Sequence, residues 1–190
     1  MKIRMQLMSD VVFGNGASVP GGEDISILCD ENGFPYYKGG TFKGIFREEM
    51  ENYLGWTIAE EKQIKAELDR LLGESGDDNI QNTDKLIFSD FTISDYVKQQ
   101  MLSEIGTGRK DEVLDALSHL RTFTAISESG VVKKGSLREC RCVNKGLNFY
   151  SEVTCSAEDE EFVTEVISGI KWVGTMRNRG FGKVKLTVVK

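Results

Sequence analysis

The stretch VGTMRNRGFGKVKLTVV, Val173–Val189, decides the fold. Its second half, KVKLTVV from Lys183, alternates polar and apolar residues with a period of two, the mark of a strand with one face in a core. Its first half is a basic loop in which Gly174, Gly180 and Gly182 are interleaved with Arg177, Arg179 and Lys183 around Phe181. Upstream, Ser156 precedes a strongly amphipathic run, Glu158–Ile170, that predicts a helix capped by that serine. The far end of the chain mirrors the strand: KIRMQLM, Lys2–Met8, has the same alternation. These two segments are expected to lie side by side in an antiparallel sheet.

Between them the pattern supplies the rest of the frame. Gly39 and Gly40 precede Thr41, an acceptable N-cap, and TFKGIFREEMENYL then places apolar residues at 42, 45, 46, 50, 53 and 54, which is helical spacing. Lys85–Phe91 and Leu147–Cys155 read as the two remaining core strands. Smaller pieces fill the gaps. A minimal hairpin joins residues 25–29 to Phe34–Tyr37 around Asp30, Glu31, Asn32 and Gly33. A helix runs over Ile58–Leu72, opened by Thr57 with Glu60 three residues on. Short helices occupy Ser94–Leu102 and Lys110–Leu120, and strand-like sequence covers Thr122–Ile126 and Gly135–Val143. Stripped of insertions, the order is βαββαβ, so the expected fold is α+β, ferredoxin-like or RRM-like, with an antiparallel sheet. One domain is expected over residues 1–190, with helical and thumb-like insertions at about 56–83 and 92–130.

Composition narrows the possibilities. Apolar residues make up 39% and charged residues 28%, ordinary for a globular chain, and no apolar run is long enough to cross a membrane. The opening sequence lacks the apolar core of a signal peptide, so the expected location is the cytoplasm, with no membrane partner. Cys29, Cys140, Cys142 and Cys155 are then read as reduced thiols, the last three in strand-like sequence. A net charge of −6 argues against a surface that grips nucleic acid everywhere. The distribution says more: Glu48–Asp78 holds ten acids and three bases, whereas Lys171–Lys190 holds six bases and no acid. His119, the only histidine, falls in the helical pattern DEVLDALSHL and is read as structural.

Two motifs carry chemistry. PYYKGGTFKG, Pro35–Gly44, opens a helix, and the first N–H groups of a helix are unpaired and partly positive. Lys38, Gly39, Gly40, Thr41 and Lys43 there are candidate phosphate contacts; a plain glycine turn before a helix is the alternative. Arg177, Arg179, Gly180, Phe181, Gly182 and Lys183 suit phosphate contacts with base stacking, against the alternative of a soluble helix-to-strand connection.

Taken together, a strand followed by this proline-to-glycine helix start, plus the RGFG loop before the last strand, resembles the RAMP superfamily of CRISPR-associated proteins. The resemblance runs nearly end to end. Gly21-Gly22-Glu23-Asp24 followed by ISILCDENGFPYYKGGTFKG is similar to the repeating backbone (Csm and Cmr) subunit of type III effector complexes, and Arg121–Val153 resembles that family's thumb with the strand pair after it. The resemblance implies a subunit that binds guide RNA along its backbone and cleaves complementary target RNA as a metal-dependent endoribonuclease within an assembled complex. It implies Asp24 as the catalytic residue and as a ligand for Mg or Mn, with other effector subunits and copies of itself as partners. Glu23 and Asp30 are possible companions of Asp24 in an oxygen-ligand site. Phe42 and Gly40 depart from the commoner leucine and serine, and the acidic helix matches no signature. A non-catalytic scaffold or capping subunit, a CRISPR transcript-processing ribonuclease, and a plain single-stranded RNA-binding module remain alternatives.

Overall fold

A computed structural model of the protein describes residues 1–14, 16, 23–58, 60–74 and 85–189. Strands β1 (Lys2–Leu7), β2 (Ile87–Phe88), β5 (Asn148–Thr154) and β6 (Val184–Val189) form one antiparallel sheet in the order β2-β5-β1-β6. That is the strand order of a ferredoxin-like sheet. The two end segments pair as expected, with Lys2 opposite Val189 and Leu7 opposite Val184. Alternation sends Ile3, Met5, Leu7, Phe149, Val153, Val184 and Leu186 to one face, where they are buried. Helices α1 (Gly39–Thr57) and α5 (Glu160–Gly169) pack together on that face, and α2 (Glu61–Leu72) packs on α1. Phe42, Phe46, Met50 and Leu54, at helical spacing, are the stripe by which α1 enters the core. Phe42 and Phe46 each meet Phe88 of β2 in tilted or edge-on contact at 5.2 and 5.3 Å.

Between β2 and β5 the chain builds α3 (Asp95–Ile105), α4 (Lys110–Leu117) and a second, two-stranded antiparallel unit, β3 (Ser118–Phe123) with β4 (Arg138–Val143). Residues 124–137 connect these strands as a hairpin closed by an Ile126–Val132 bridge, and Ile126, Val131, Val132 and Leu137 are exposed on it. The 92–130 stretch read as thumb-like thus holds α3, α4 and β3, and the hairpin itself runs past it to β4. Bridges Val11–Val143 and Val12–Thr175 tie the β3–β4 unit and the loop after α5 to the end of β1.

Several boundaries differ from expectation for identifiable reasons. Helix α1 starts at Gly39, two residues before Thr41, because Asp90 caps it from another part of the chain: the Gly39 N–H donates to Asp90 Oδ1 at 2.8 Å. Helix α2 starts at Glu61, not Ile58; the Thr57 hydroxyl donates back to the Leu54 carbonyl at the end of α1 instead of capping α2. The run Lys110–Leu120 stays helical only to Leu117, since Ser118–Phe123 is claimed by β4. His119 therefore lies on a strand. The early hairpin is reduced to single bridges, Gly14–Ile27 and Cys29–Pro35, with Asp30 Oδ1 accepting the Asn32 and Phe34 N–H groups at 3.0 Å each.

Candidate nucleic-acid interface

The start of α1 comes first. Its two glycines have different tasks. A Cβ on Gly39 would stand 2.1 Å from the Phe88 carbonyl oxygen, so glycine is there to let the helix abut β2, not to admit a phosphate. With its N–H taken by Asp90, Gly39 is withdrawn from the set of anion contacts. Gly40 is exposed with open space around it, and it and Thr41 carry the remaining first-turn N–H groups. Lys38 is exposed beside them. Lys43 is half-buried, and burial, aided by Arg47 and Lys85, pulls its pKa below the ordinary lysine value.

The basic loop packs under the end of β1. Gly174 and Gly182 have φ of 74° and 84°, and an added Cβ would meet Val12 O at 2.6 Å and Val173 O at 2.1 Å. The Gly182 N–H donates to the Asp10 carbonyl at 2.9 Å and the Lys183 N–H to the Ser9 hydroxyl at 2.9 Å. These bonds fix the loop's base. Its outer part, the 3-10 turn Arg177–Arg179, follows Met176 at φ 59° and is exposed, as are Gly180 and Lys183. Arg177, Arg179 and Lys183 carry no carboxylate partner among the described residues.

Phe181 does not stand at the tip. It is 2% exposed and sits edge-on to Phe123 of β3, with ring centroids 5.9 Å apart, so its face is closed to a base. The loop's polar context reads as exposure in sequence; the partner ring that claims Phe181 lies 58 residues earlier.

The two motifs do converge. Tyr37, just before α1, stacks on Phe13 at 4.8 Å and turns its hydroxyl toward the Gly174 amide and Arg177. That hydroxyl is buried and reaches hydrogen-bond geometry with none of the described residues. Burial raises the phenol's pKa, against the opposing pull of Gly174 and Arg177. Arg177 also lines a cleft with Ile45, Glu48, Glu49 and Asn52 of α1 and with Trp172.

Asp24 is placed elsewhere than its sequence neighbourhood suggests. Its backbone N–H donates to the Glu139 carbonyl at 2.9 Å and its Oδ2 accepts the Glu139 N–H at 2.7 Å. Asp24 is thus pinned at the start of β4, at the root of the 124–137 hairpin, and exposed. Gly21 and Gly22 lie outside the described residues. Glu23 and Asp30 do not join it. Glu23 pairs with Arg141, which also holds Asp115 at 2.7 Å, and Asp30 pairs with Lys98 at 3.2 Å. Among the described residues no three His, Cys, Asp or Glu side chains gather as a metal site. The fit to Mg or Mn is therefore that of a one-carboxylate site: Asp24 has one oxygen engaged and no partner for the other among the described residues, and an ion held there would depend on water and phosphate for the rest of its ligands.

The outer face of the main sheet, by contrast, is no stacking platform. On β1, β5 and β6 it presents Lys2, Arg4, Gln6, Asn148, Glu152, Lys185 and Thr187 with one aromatic, Tyr150, whose ring is covered by the Lys2 ammonium at 5.4 Å.

This is an RRM-like α+β protein whose conspicuous features are a glycine-rich basic loop and a projecting hairpin. The RAMP superfamily profile matches residues 4–185, and the chain belongs to that superfamily. No curated protein sequence matches it. Among solved structures it is similar to a chain of the type III-B Cmr-beta complex bound to cognate target RNA, at 14% identity and a TM-score of 0.69, covering 97% of this chain and 95% of that one. It is also similar to a chain of the apo state of that complex, at 15% identity and a TM-score of 0.67, covering 100% and 96%.

Proposed function

We propose that this protein is a subunit of a type III CRISPR effector complex that holds guide RNA along the basic loop and the start of α1, and cleaves paired target RNA through Asp24 and a divalent metal. The observation that supports it most is the convergence at the end of β1. The loop bearing Arg177, Arg179 and Lys183 is bonded to residues 8–12, the strand that holds Asp24 is bridged to Val11 through Val143, and the start of α1 follows Tyr37, which stacks on Phe13. Its likeness over nearly full length to chains of an assembled Cmr complex supports the same reading. Guide RNA, target RNA, other subunits and further copies of the chain are the partners it implies.

The chemistry asked of the residues is modest. Scission by a ribose 2′-OH needs the attacking and leaving oxygens in line and relief of charge on the phosphate. A divalent metal held by Asp24 would supply the charge relief. Asp24 holds its carboxylate at a fixed point because the Glu139 backbone bonds both its N–H and its Oδ2. The hairpin beside it, with Ile126, Val131, Val132 and Leu137 exposed, presents an apolar wedge that can unstack a strand near that carboxylate.

One observation favours a second reading, a non-catalytic scaffold of the same complex: Asp24 belongs to no group of three metal-ligating side chains among the described residues and already serves β4. The reconstituted complex with labelled complementary RNA and Mg²⁺ or Mn²⁺ decides between them. Asp24→Ala is expected to slow cleavage at least about 100-fold while target binding changes less than about threefold. Cleavage at the parental rate would assign the scaffold role.

A further inference from the structure

Beside the loop, Arg179 joins a connected lattice of side chains whose other members have no role in the reading above. Arg179 lies over the Phe123 ring at 5.6 Å, Phe123 meets Phe181 at 5.9 Å, and Arg121 lies over Phe181 at 5.2 Å. The cation–π attraction holds each guanidinium beside a ring, and a guanidinium so placed can still donate to a phosphate. Both arginines are exposed.

Next to Arg121 stands Asp10. Its Oδ1 accepts the Lys145 N–H at 3.1 Å and its backbone carbonyl accepts from Gly182. Its Oδ2 faces His119 Nε2 at 3.6 Å and Arg121 Nη1 at 3.7 Å. Both separations are too long for hydrogen bonds, so this carboxylate oxygen has no hydrogen-bond donor among the described residues. His119 is fixed on its other side: the Asn144 amide donates to the Ala116 carbonyl, turning its oxygen to His119 Nδ1 at 2.6 Å. The side chains of Asp10, His119 and Arg121 keep 21%, 44% and 50% of their surface open to solvent.

We propose that Asp10, His119, Arg121 and Arg179 form a ribonucleotide-backbone site, in which the two arginines take a phosphate and Asp10 Oδ2 takes the adjoining ribose 2′-OH. A hydroxyl oxygen seated between Oδ2 and Arg121 Nη1 reaches both at hydrogen-bond distance, donating to the first and accepting from the second. DNA lacks that group, so the site reads sugar rather than base and selects RNA over DNA. It extends the guide contact from the basic loop onto β3, and it rests on the RNA-binding reading above.

The test is fluorescence anisotropy of the full chain with a short labelled single-stranded RNA and the DNA of the same sequence. The parent prefers RNA; Asp10→Asn lowers that preference about tenfold and leaves DNA affinity within about twofold. Arg121→Gln weakens both strands, RNA more than DNA because it also loses its bond to the 2′-OH, and lowers the salt slope by about 0.7 for one lost phosphate contact. Because Asp10 also anchors Lys145 and Gly182, thermal unfolding accompanies each variant, and Arg121→Gln stands as the independent arm should Asp10→Asn misfold. Equal RNA and DNA affinity in the parent, an unchanged preference in folded Asp10→Asn, or parental affinity in Arg121→Gln overturns the proposal. If Arg177→Glu weakens RNA binding while those results hold, the proposal fails and the RNA-binding reading stands. If the parent binds neither strand, both fall together.

Discussion

At the scale of single residues, the glycines of the basic loop separate into those that shape it and those that leave it open. Gly182 and Gly180 share a left-handed φ of 84° and 85°, yet a Cβ on Gly182 would lie 2.1 Å from Val173 O whereas Gly180 has free space. Gly180→Ala is expected to cost about 1–2 kcal/mol, the price of the conformation alone. Gly182→Ala adds a backbone collision and should cost more than about 3 kcal/mol, or leave no folded protein. Urea unfolding of both variants checks the order, and equal losses would contradict it. The sequence marks both as glycine in a basic loop and so suggests one role. Only the approach of Val173, nine residues away, tells them apart. Asp24 shows the same limit: its place at Glu139 depends on a contact spanning most of the chain.

At the scale of elements, caps and clips come from outside the helices they serve. Asp90 caps α1 across 51 residues, a distance at which no local capping pattern is visible. Asp90→Ala is expected to destabilise the protein by about 1 kcal/mol, read as a fall in thermal midpoint, with Asp90→Asn largely retaining the cap. Helix α2 is clipped to α5 by Arg70, which holds Glu67 at 2.6 Å and Asp159 at 2.8 Å. Arg70 in turn holds the Asp159 carboxyl below its ordinary pKa. A depressed carboxyl binds protons less readily folded than unfolded, so its contribution is present above the unfolded value and fades as pH falls through the folded one. Arg70 is half exposed, and solvent screening keeps the pair's worth to about 1 kcal/mol or less. Arg70→Gln should therefore lower stability slightly at pH 7 and not at all near pH 2; a difference that persists in acid would locate the effect elsewhere.

The strong periodic elements were legible: β1, β6, α1 and α5 sit within one to three residues of their predicted ends. The α4–β3 junction was not, because apolar residues at 113, 114, 117 and 120 suit a helix locally. Their continuation as a strand is imposed by Cys140 and Cys142 across the pair. His119 was hidden by the same error, and with it the lattice on β3.

For the whole molecule, charge is segregated rather than absent. The protein is net −6, but the acids gather in the segment that includes α1 and α2 and the bases in the final loop and strand. Arg177→Glu combined with Arg179→Glu is expected to lower RNA affinity about tenfold or more at low salt and to reduce the slope of log affinity against log salt by about 1.4, two phosphate contacts at 0.7 each. Titration at two salt concentrations reads both quantities, and a parallel shift with no change of slope would mean the arginines act through the fold. Exposed Trp56 at the end of α1 lies in the acidic segment, remote in character from a phosphate surface.

The sheet order has a consequence in time. Strand β1 ends at Leu7, yet both of its neighbours in the sheet, β5 and β6, begin only at Asn148 and Val184. No local contact can stand in for them, and closing so long a loop is entropically costly and slow. The region at the end of β1 where loop and hairpin are joined thus exists only after the chain has been synthesised past β6. Until then Ile3, Met5 and Leu7 are apolar side chains without their native cover, so from the emergence of β1 to that of β5 and β6 the nascent chain carries this strand waiting for partners.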